Sequence, residues 1–148
     1  MDYVIGCDIG SQGTKATLLS TTGKLVWETY GGYPIDCPLP LRAEQPADRW
    51  VDALALSLRR LLSESGVAAD TIRALSLAAQ VDGLVPIDAD GRPLHPAIIW
   101  MDRRAGAQCE QIRQKLDEEL IFQLTGLNLD PINVAPKIRW LADQQPDI

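Results

Sequence analysis

Three β-prone runs stand almost end to end at the start of this chain, at residues 3–9, 14–20 and 24–30. Gly10 to Gly13 fills the first gap, and Thr21, Thr22 and Gly23 fill the second. Gaps this short join antiparallel neighbours, because a parallel return needs a crossover of about a dozen residues or more. The opening is therefore predicted to be an antiparallel meander. Its third strand alternates Leu25, Trp27 and Thr29 with Val26, Glu28 and Tyr30.

The pattern then changes. Residues 31–45 hold two glycines and three prolines, which break a strand ladder, so a surface loop is expected there. Pro46 suits the first turn of a helix, and Trp50, Leu54, Leu58, Leu61 and Leu62 follow at helical spacing until Gly66. That helix should cover one sheet face. Residues 72–78 read as a strand that follows a helix, and so runs parallel to the first strand. Residues 84–87 and 97–100, around the turn Ala89-Asp90-Gly91, suggest a small hairpin. Asp102 is placed to cap a helix with Ala105, Cys109, Ile112, Leu116 and Leu120 on its apolar side, and Gly126 should stop any helical continuation beyond them. Residues 128–136 are expected to be irregular, with a last helix beginning at Lys137. This order of elements is that of a ribonuclease H-like α/β fold.

A chain of 148 residues, 46% of them hydrophobic, can bury a core as one domain. Fourteen Lys and Arg against twenty Asp and Glu, with neither sign in a block, argue against nucleic acid or an anionic membrane as partner. No stretch approaches the ~18 to 20 apolar residues that span a bilayer. Cys7, Cys37 and Cys109 are odd in number and far apart, which indicates neither a disulfide framework nor a zinc site. A reducing, cytoplasmic setting fits best. Homodimerisation is left open by the residues.

The chemistry concentrates in the first turn. A carboxylate, Asp8, ends an apolar run and is followed by Gly10, Ser11, Gln12, Gly13, Thr14 and Lys15. A phosphate chain needs such parts: glycines that admit oxygens to backbone N–H groups, hydroxyls that donate, and an ammonium that offsets charge. A carboxylate can hold hydrated Mg²⁺ beside them. A plain hairpin turn is the alternative reading of the same residues.

Asp-x-Gly followed by a hydroxyl, Gly and Lys between two strands resembles the first phosphate motif of sugar kinases, actin and heat-shock ATPases. Three later blocks narrow the resemblance: residues 79–83 around Gln80, Val81 and Asp82; residues 99–104 around Trp100, Asp102 and Arg104; and residues 136–141 around Lys137 and Trp140. In order and spacing these resemble blocks of the FGGY carbohydrate kinases, which include xylulokinase and glycerol kinase. The resemblance implies the actin-like ATPase version of the ribonuclease H-like fold, with this chain as the first part of the N-terminal lobe. It implies MgATP as phosphoryl donor, with Asp8 acting through the metal and residues 10–15 holding phosphate.

The resemblance also places Gln80, Val81, Asp82, Trp100, Asp102 and Arg104 around a sugar pocket, with Asp82 accepting substrate hydroxyls. Asp82 can equally be an Asp-Gly turn, Asp102 a helix cap, and Arg104 half of a surface ion pair. Val81 and Asp82 stand where xylulokinases usually carry Met and His, and where glycerol kinase has Arg and Glu together with a Tyr at the position of Ile132. The sugar is thus left open among ketoses and polyols. Lys137 and Trp140 read as structural, and His95, between Leu94 and Pro96, has no metal or nucleophile partner in the sequence.

In this family the general base and the adenosine site come from beyond residue 148, so the chain is expected to be an N-terminal fragment without activity of its own. Two other classes share the first motif: an actin-like ATPase that is not a kinase, and a sugar-binding module without turnover.

Overall fold

The pairing of the first two strands puts Ile5, Cys7, Ala16 and Leu18 on one face of the sheet, and that face is the buried one. The computed structural model describes residues 1–148, which divide into two compact units. The first comprises residues 1–35 and 46–80. Its sheet contains β1 (Tyr3–Ile9), β2 (Gly13–Ser20), β3 (Leu25–Gly32) and β5 (Ile72–Ala79), in the order β3-β2-β1-β5. β1, β2 and β3 form the antiparallel meander, and β5 runs parallel to β1.

The register sets Ile5 opposite Leu18 and Cys7 opposite Ala16. These four side chains are buried together with Leu61 of α1 (Ala47–Ser65), and Leu54, Leu58 and Val26 pack around them. Thr29 ties β3 to the helix by donating its hydroxyl to the Ser57 carbonyl at 3.0 Å. α1 starts one residue later than expected: Pro46 occupies the N-cap position, where its missing N–H costs nothing. Gly66 ends the helix in the left-handed conformation, φ 66°.

The second unit comprises residues 36–45 and 81–148. Here the expected surface loop is corrected. Its last residues form β4 (Glu44–Gln45), antiparallel to β6 (Ala97–Ile98), and Ala43 and Gln45 are buried. The partner strand lies some fifty residues away, beyond the reach of local pattern reading. The expected hairpin is reduced to a bridge between Ile87 and Pro93 at the Asp88–Gly91 turn, while Leu84 and β4 flank Ile98.

The single helix expected after Asp102 is two. α2 (Gly106–Arg113) breaks at residues 114–117 before α3 (Glu118–Thr125). Asp117 holds an extended N-cap conformation, with Glu118 and Glu119 in the first turn of α3, where acidic residues complement the helix dipole. The break leaves Leu116 and Leu120 exposed rather than in the core. α4 (Val134–Gln144) starts three residues before Lys137, so Pro136 falls within its first turn. Ile98, Ala105 and Trp140 form the core of this unit. No helix is long and apolar enough to cross a membrane.

Candidate active site

The register that buries Ile5 and Cys7 turns Gly6, Asp8, Lys15 and Thr17 to the opposite sheet face. Asp8 pairs with Lys15 across β1 and β2, and with Ala78 on β5. With Ser76, these residues line a groove of about 310 Å³. Glycine, alanine and serine keep the floor low, so an exposed carboxylate and an ammonium stand on a surface that otherwise carries little bulk. Lys15 pairs with Glu28 at 2.9 Å, but both side chains are half exposed. Such a surface pair contributes only about 0 to 1 kcal/mol, so an incoming phosphate can compete for the ammonium.

The turn beyond Asp8 is held from behind by two tyrosines that pattern reading missed. Gly10 N donates to Gly13 O at 3.0 Å and closes the turn. The Tyr33 hydroxyl donates to Gly10 O at 2.6 Å, and the Tyr30 hydroxyl to Gln12 O at 2.9 Å. Tyr33 N also donates to Gln12 O. Burial raises the pKa of Tyr33, a shift the bond with Thr14 partly opposes. Tyr30 near the end of β3 and Tyr33 just beyond it carry no sequence signal that they brace a distant turn.

Two expectations change here. The Gly10 N–H is consumed within the turn, and Thr14 is fully buried, its hydroxyl 3.4 Å from that of Tyr33. Gly13 is needed for packing: a Cβ there would clash with the Tyr30 hydroxyl and lie 2.7 Å from Gly31 O. Gly13→Ala is therefore expected to lower stability by about 1 to 3 kcal/mol, an overpacking cost measurable by urea unfolding. Partial recovery in the double change Gly13→Ala with Tyr30→Ala, which removes the ring but leaves the Gly31 carbonyl, would locate the side-chain part of the clash. Wild-type stability in the single variant would show that the turn has room.

In the first unit, Gln80 continues the ladder by donating its N–H to Ile9 O at 2.9 Å. In the second unit, Val81 and Trp100 are exposed and Asp82 is half-buried. Asp82 has φ 56°, a left-handed backbone that Asp tolerates better than most residues, in keeping with its turn-forming reading. Lys137 is fully buried, and its ammonium donates to Asp82 O at 2.7 Å and to Ile99 O at 2.9 Å. Burial depresses the Lys137 pKa, partly opposed by the charges of Asp102 and Asp82.

Asp102 and Arg104 depart furthest from expectation. Asp102 does not cap the next helix, whose N-cap position is Ala105. It is fully buried and accepts the Ala43 N–H at 2.7 Å, the Arg104 N–H at 3.0 Å and the Arg104 guanidinium. Arg104 is not half of a surface pair either. It also donates to Glu44 at 2.5 Å, and its guanidinium carbon lies 4.7 Å from the Trp140 ring centroid. Burial alone would lower its pKa, but the bonds to Asp102 and Glu44 raise it. Trp140 further receives Arg42 at 5.4 Å and the edge of His95 at 6.5 Å, which gives His95 a packing role.

Known proteins resemble the chain over its whole length. The model for the N-terminal domain of the FGGY family of carbohydrate kinases matches residues 3–148. A xylulose kinase from Lactococcus lactis is 31% identical over 148 residues, covering 100% of this chain and 29% of the relative. A glycerol kinase from Polaromonas is 34% identical over 150 residues, covering 100% and 30%. Among solved structures, the ligand-bound xylulose kinase from Lactobacillus acidophilus has a TM-score of 0.91 at 25% identity, covering 100% of this chain and 30% of that one. That from Rhodospirillum rubrum has a TM-score of 0.91 at 26% identity, covering 98% and 30%. The chain spans about 30% of the length of these curated relatives. Its fold is that of the actin-like ATPases, ribonuclease H-like in its sheet. The family match, which runs from Tyr3 to the last residue, places this chain in the FGGY family of carbohydrate kinases, as their N-terminal domain.

Proposed function

We propose that this chain is the phosphate- and sugar-handling N-terminal part of a kinase that transfers a phosphoryl group from MgATP to a hydroxyl of a ketose or polyol. The observation that carries the reading is Asp8 set opposite Lys15 on a low-walled groove, at the foot of a turn braced by Tyr30 and Tyr33. A hard, exposed carboxylate fits Mg²⁺, which when bound would neutralise phosphate charge; Asp8 would hold it, most simply through its water shell. Lys15 would leave Glu28 for the phosphate oxygens, with the rigid turn fixing Ser11 and Gln12 beside them. This supplies positioning and charge neutralisation, the two terms that dominate phosphoryl transfer.

Asp82, with Val81 and Trp100 of the second unit, is assigned to the sugar. Asp82 can accept two hydroxyls, and the exposed Trp100 ring offers an apolar wall. Asp102 and Arg104, engaged with each other, support the Trp100 segment from within. The general base is assigned to sequence outside this chain, which alone should not turn over.

The experiment is sugar-dependent ADP release by a complete kinase carrying this chain, tried with ketoses and polyols. Asp82→Ala is expected to cost ~2 to 3 kcal/mol in kcat/KM for the accepted sugar, the worth of a charge-assisted bond, with the KM for ATP unchanged. An unchanged kcat/KM for every accepted sugar would return Asp82 to a purely turn-forming role. ADP release indifferent to all sugars would favour an ATPase that is not a kinase.

A further inference from the structure

We propose that Lys137 is a positioning residue, which fixes the two sugar-facing segments of the second unit to each other by holding the main-chain carbonyls of Asp82 and Ile99. The inference rests on the reading of Asp82 and Trp100 as sugar-binding. Lysine is almost never fully buried unless something compensates its charge, and this one is buried completely. The groups that receive its ammonium hydrogens are two carbonyl oxygens, at 2.7 and 2.9 Å, from segments 55 and 38 residues away in sequence. Neither bond is to a carboxylate, so the lysine is not simply the counter-ion of Asp82.

The two carbonyls are those where direction matters most for the pocket. Asp82 holds a left-handed backbone, φ 56°, which Asp tolerates better than most residues but which still costs free energy that the surroundings must offset. A charge-assisted bond to its carbonyl supplies that opposition and sets how the side chain is presented. Ile99 immediately precedes Trp100, and its own N–H is already committed to Ala43 O at 3.1 Å. The Ile99 carbonyl accepts the Asp102 N–H at 3.0 Å as well as the Lys137 ammonium, so the residue before Trp100 is held at both of its backbone polar groups. A lysine suits this task because a point-like donor on a long stem can serve two acceptors at once. Lys137 can reach them because Pro136 and Lys137 sit in the first turn of α4, whose Trp140 is packed against Arg104.

The test pairs a spectroscopic readout with kinetics. In the isotope-labelled chain, Lys137→Met is expected to keep a dispersed amide spectrum, shift the carbonyl resonances of Asp82 and Ile99 together, and weaken the short intraresidue amide-to-Hα contact of a left-handed Asp82. Lys137→Gln, which retains an N–H donor, should recover part of both signals, and it carries the test if the Met variant fails to fold. In a complete kinase carrying this chain, Lys137→Met should raise the sugar KM about tenfold and leave the ATP KM unchanged, with the Gln variant between. Unmoved carbonyl resonances, or equal changes in the two KM values, would overturn the proposal. If Asp82→Ala and Trp100→Ala leave sugar kcat/KM unchanged while the carbonyls still follow Lys137, the pocket reading has failed and the positioning role falls with it. If those two variants impair sugar use and Lys137→Met does not, the positioning role alone is wrong.

Discussion

Asp8→Asn in a complete kinase carrying this domain is expected to lower kcat with MgATP by at least about a thousandfold, while the protein folds as before. The substitution keeps the shape of the side chain and removes its charge. Asp8 is exposed, and its place in the sheet depends on backbone pairing with Lys15 and Ala78, so little stability rides on the carboxylate. The loss is the hard anionic oxygen at the mouth of β1, where phosphate charge must be neutralised as the bond to the leaving group breaks. Steady-state kinetics with saturating sugar, alongside thermal unfolding of the same variant, would separate the two effects. Near-normal turnover with an unchanged Tm would remove Asp8 from the catalytic machinery and leave the hairpin as a structural element.

The largest stability effect is expected at a residue whose sequence reading was different. Asp102→Ala should destabilise the second unit by about 3 to 5 kcal/mol, because it leaves Arg104 charged in a site where that residue is almost wholly buried. It also strips the acceptor from the buried Ala43 N–H, which has no route to solvent. Glu44 remains beside Arg104 but, at one edge of the guanidinium, cannot replace the bonds that Asp102 accepts from Nε, Nη2 and the backbone. The corresponding fall in Tm is on the order of 10 °C for a chain of this size. Glu44→Gln, which keeps a hydrogen-bonding oxygen at the same place, should cost much less. Loss of under about 1 kcal/mol in Asp102→Ala would mean that water reaches Arg104 and that the network is weaker than its burial implies.

Much of the fold could be read in the residues themselves, because it depends on local periods. The short gaps at Gly10–Gly13 and Thr21–Gly23 determined antiparallel pairing, whereas the apolar run of β1 left open which of its residues face α1. The helical spacing from Trp50 to Leu61, closed by Gly66, determined α1. β5 followed from the need for a crossover before a parallel strand. The content of the first turn was legible too: a carboxylate, glycines and an ammonium in one tight segment, from which its phosphate-holding role is proposed.

Tertiary structure alone decided the features that depend on partners far away in sequence. β4 exists because Ala97 and Ile98 pair with it, and nothing within residues 31–45 records those residues. Tyr30 and Tyr33 brace the Gly10–Gly13 turn only because β3 ends beside it. Asp102 has the identity of a helix cap and the position to be one, but Arg104, Glu44 and the Ala43 N–H compete for its oxygens, and in a buried site the charge-assisted bonds win. The same reason separates Lys137 from an ordinary surface lysine. Lys137 reads as structural in the sequence, but its partners were not legible there, because a buried ammonium is defined by the acceptors that surround it, and these came from Asp82 and Ile99.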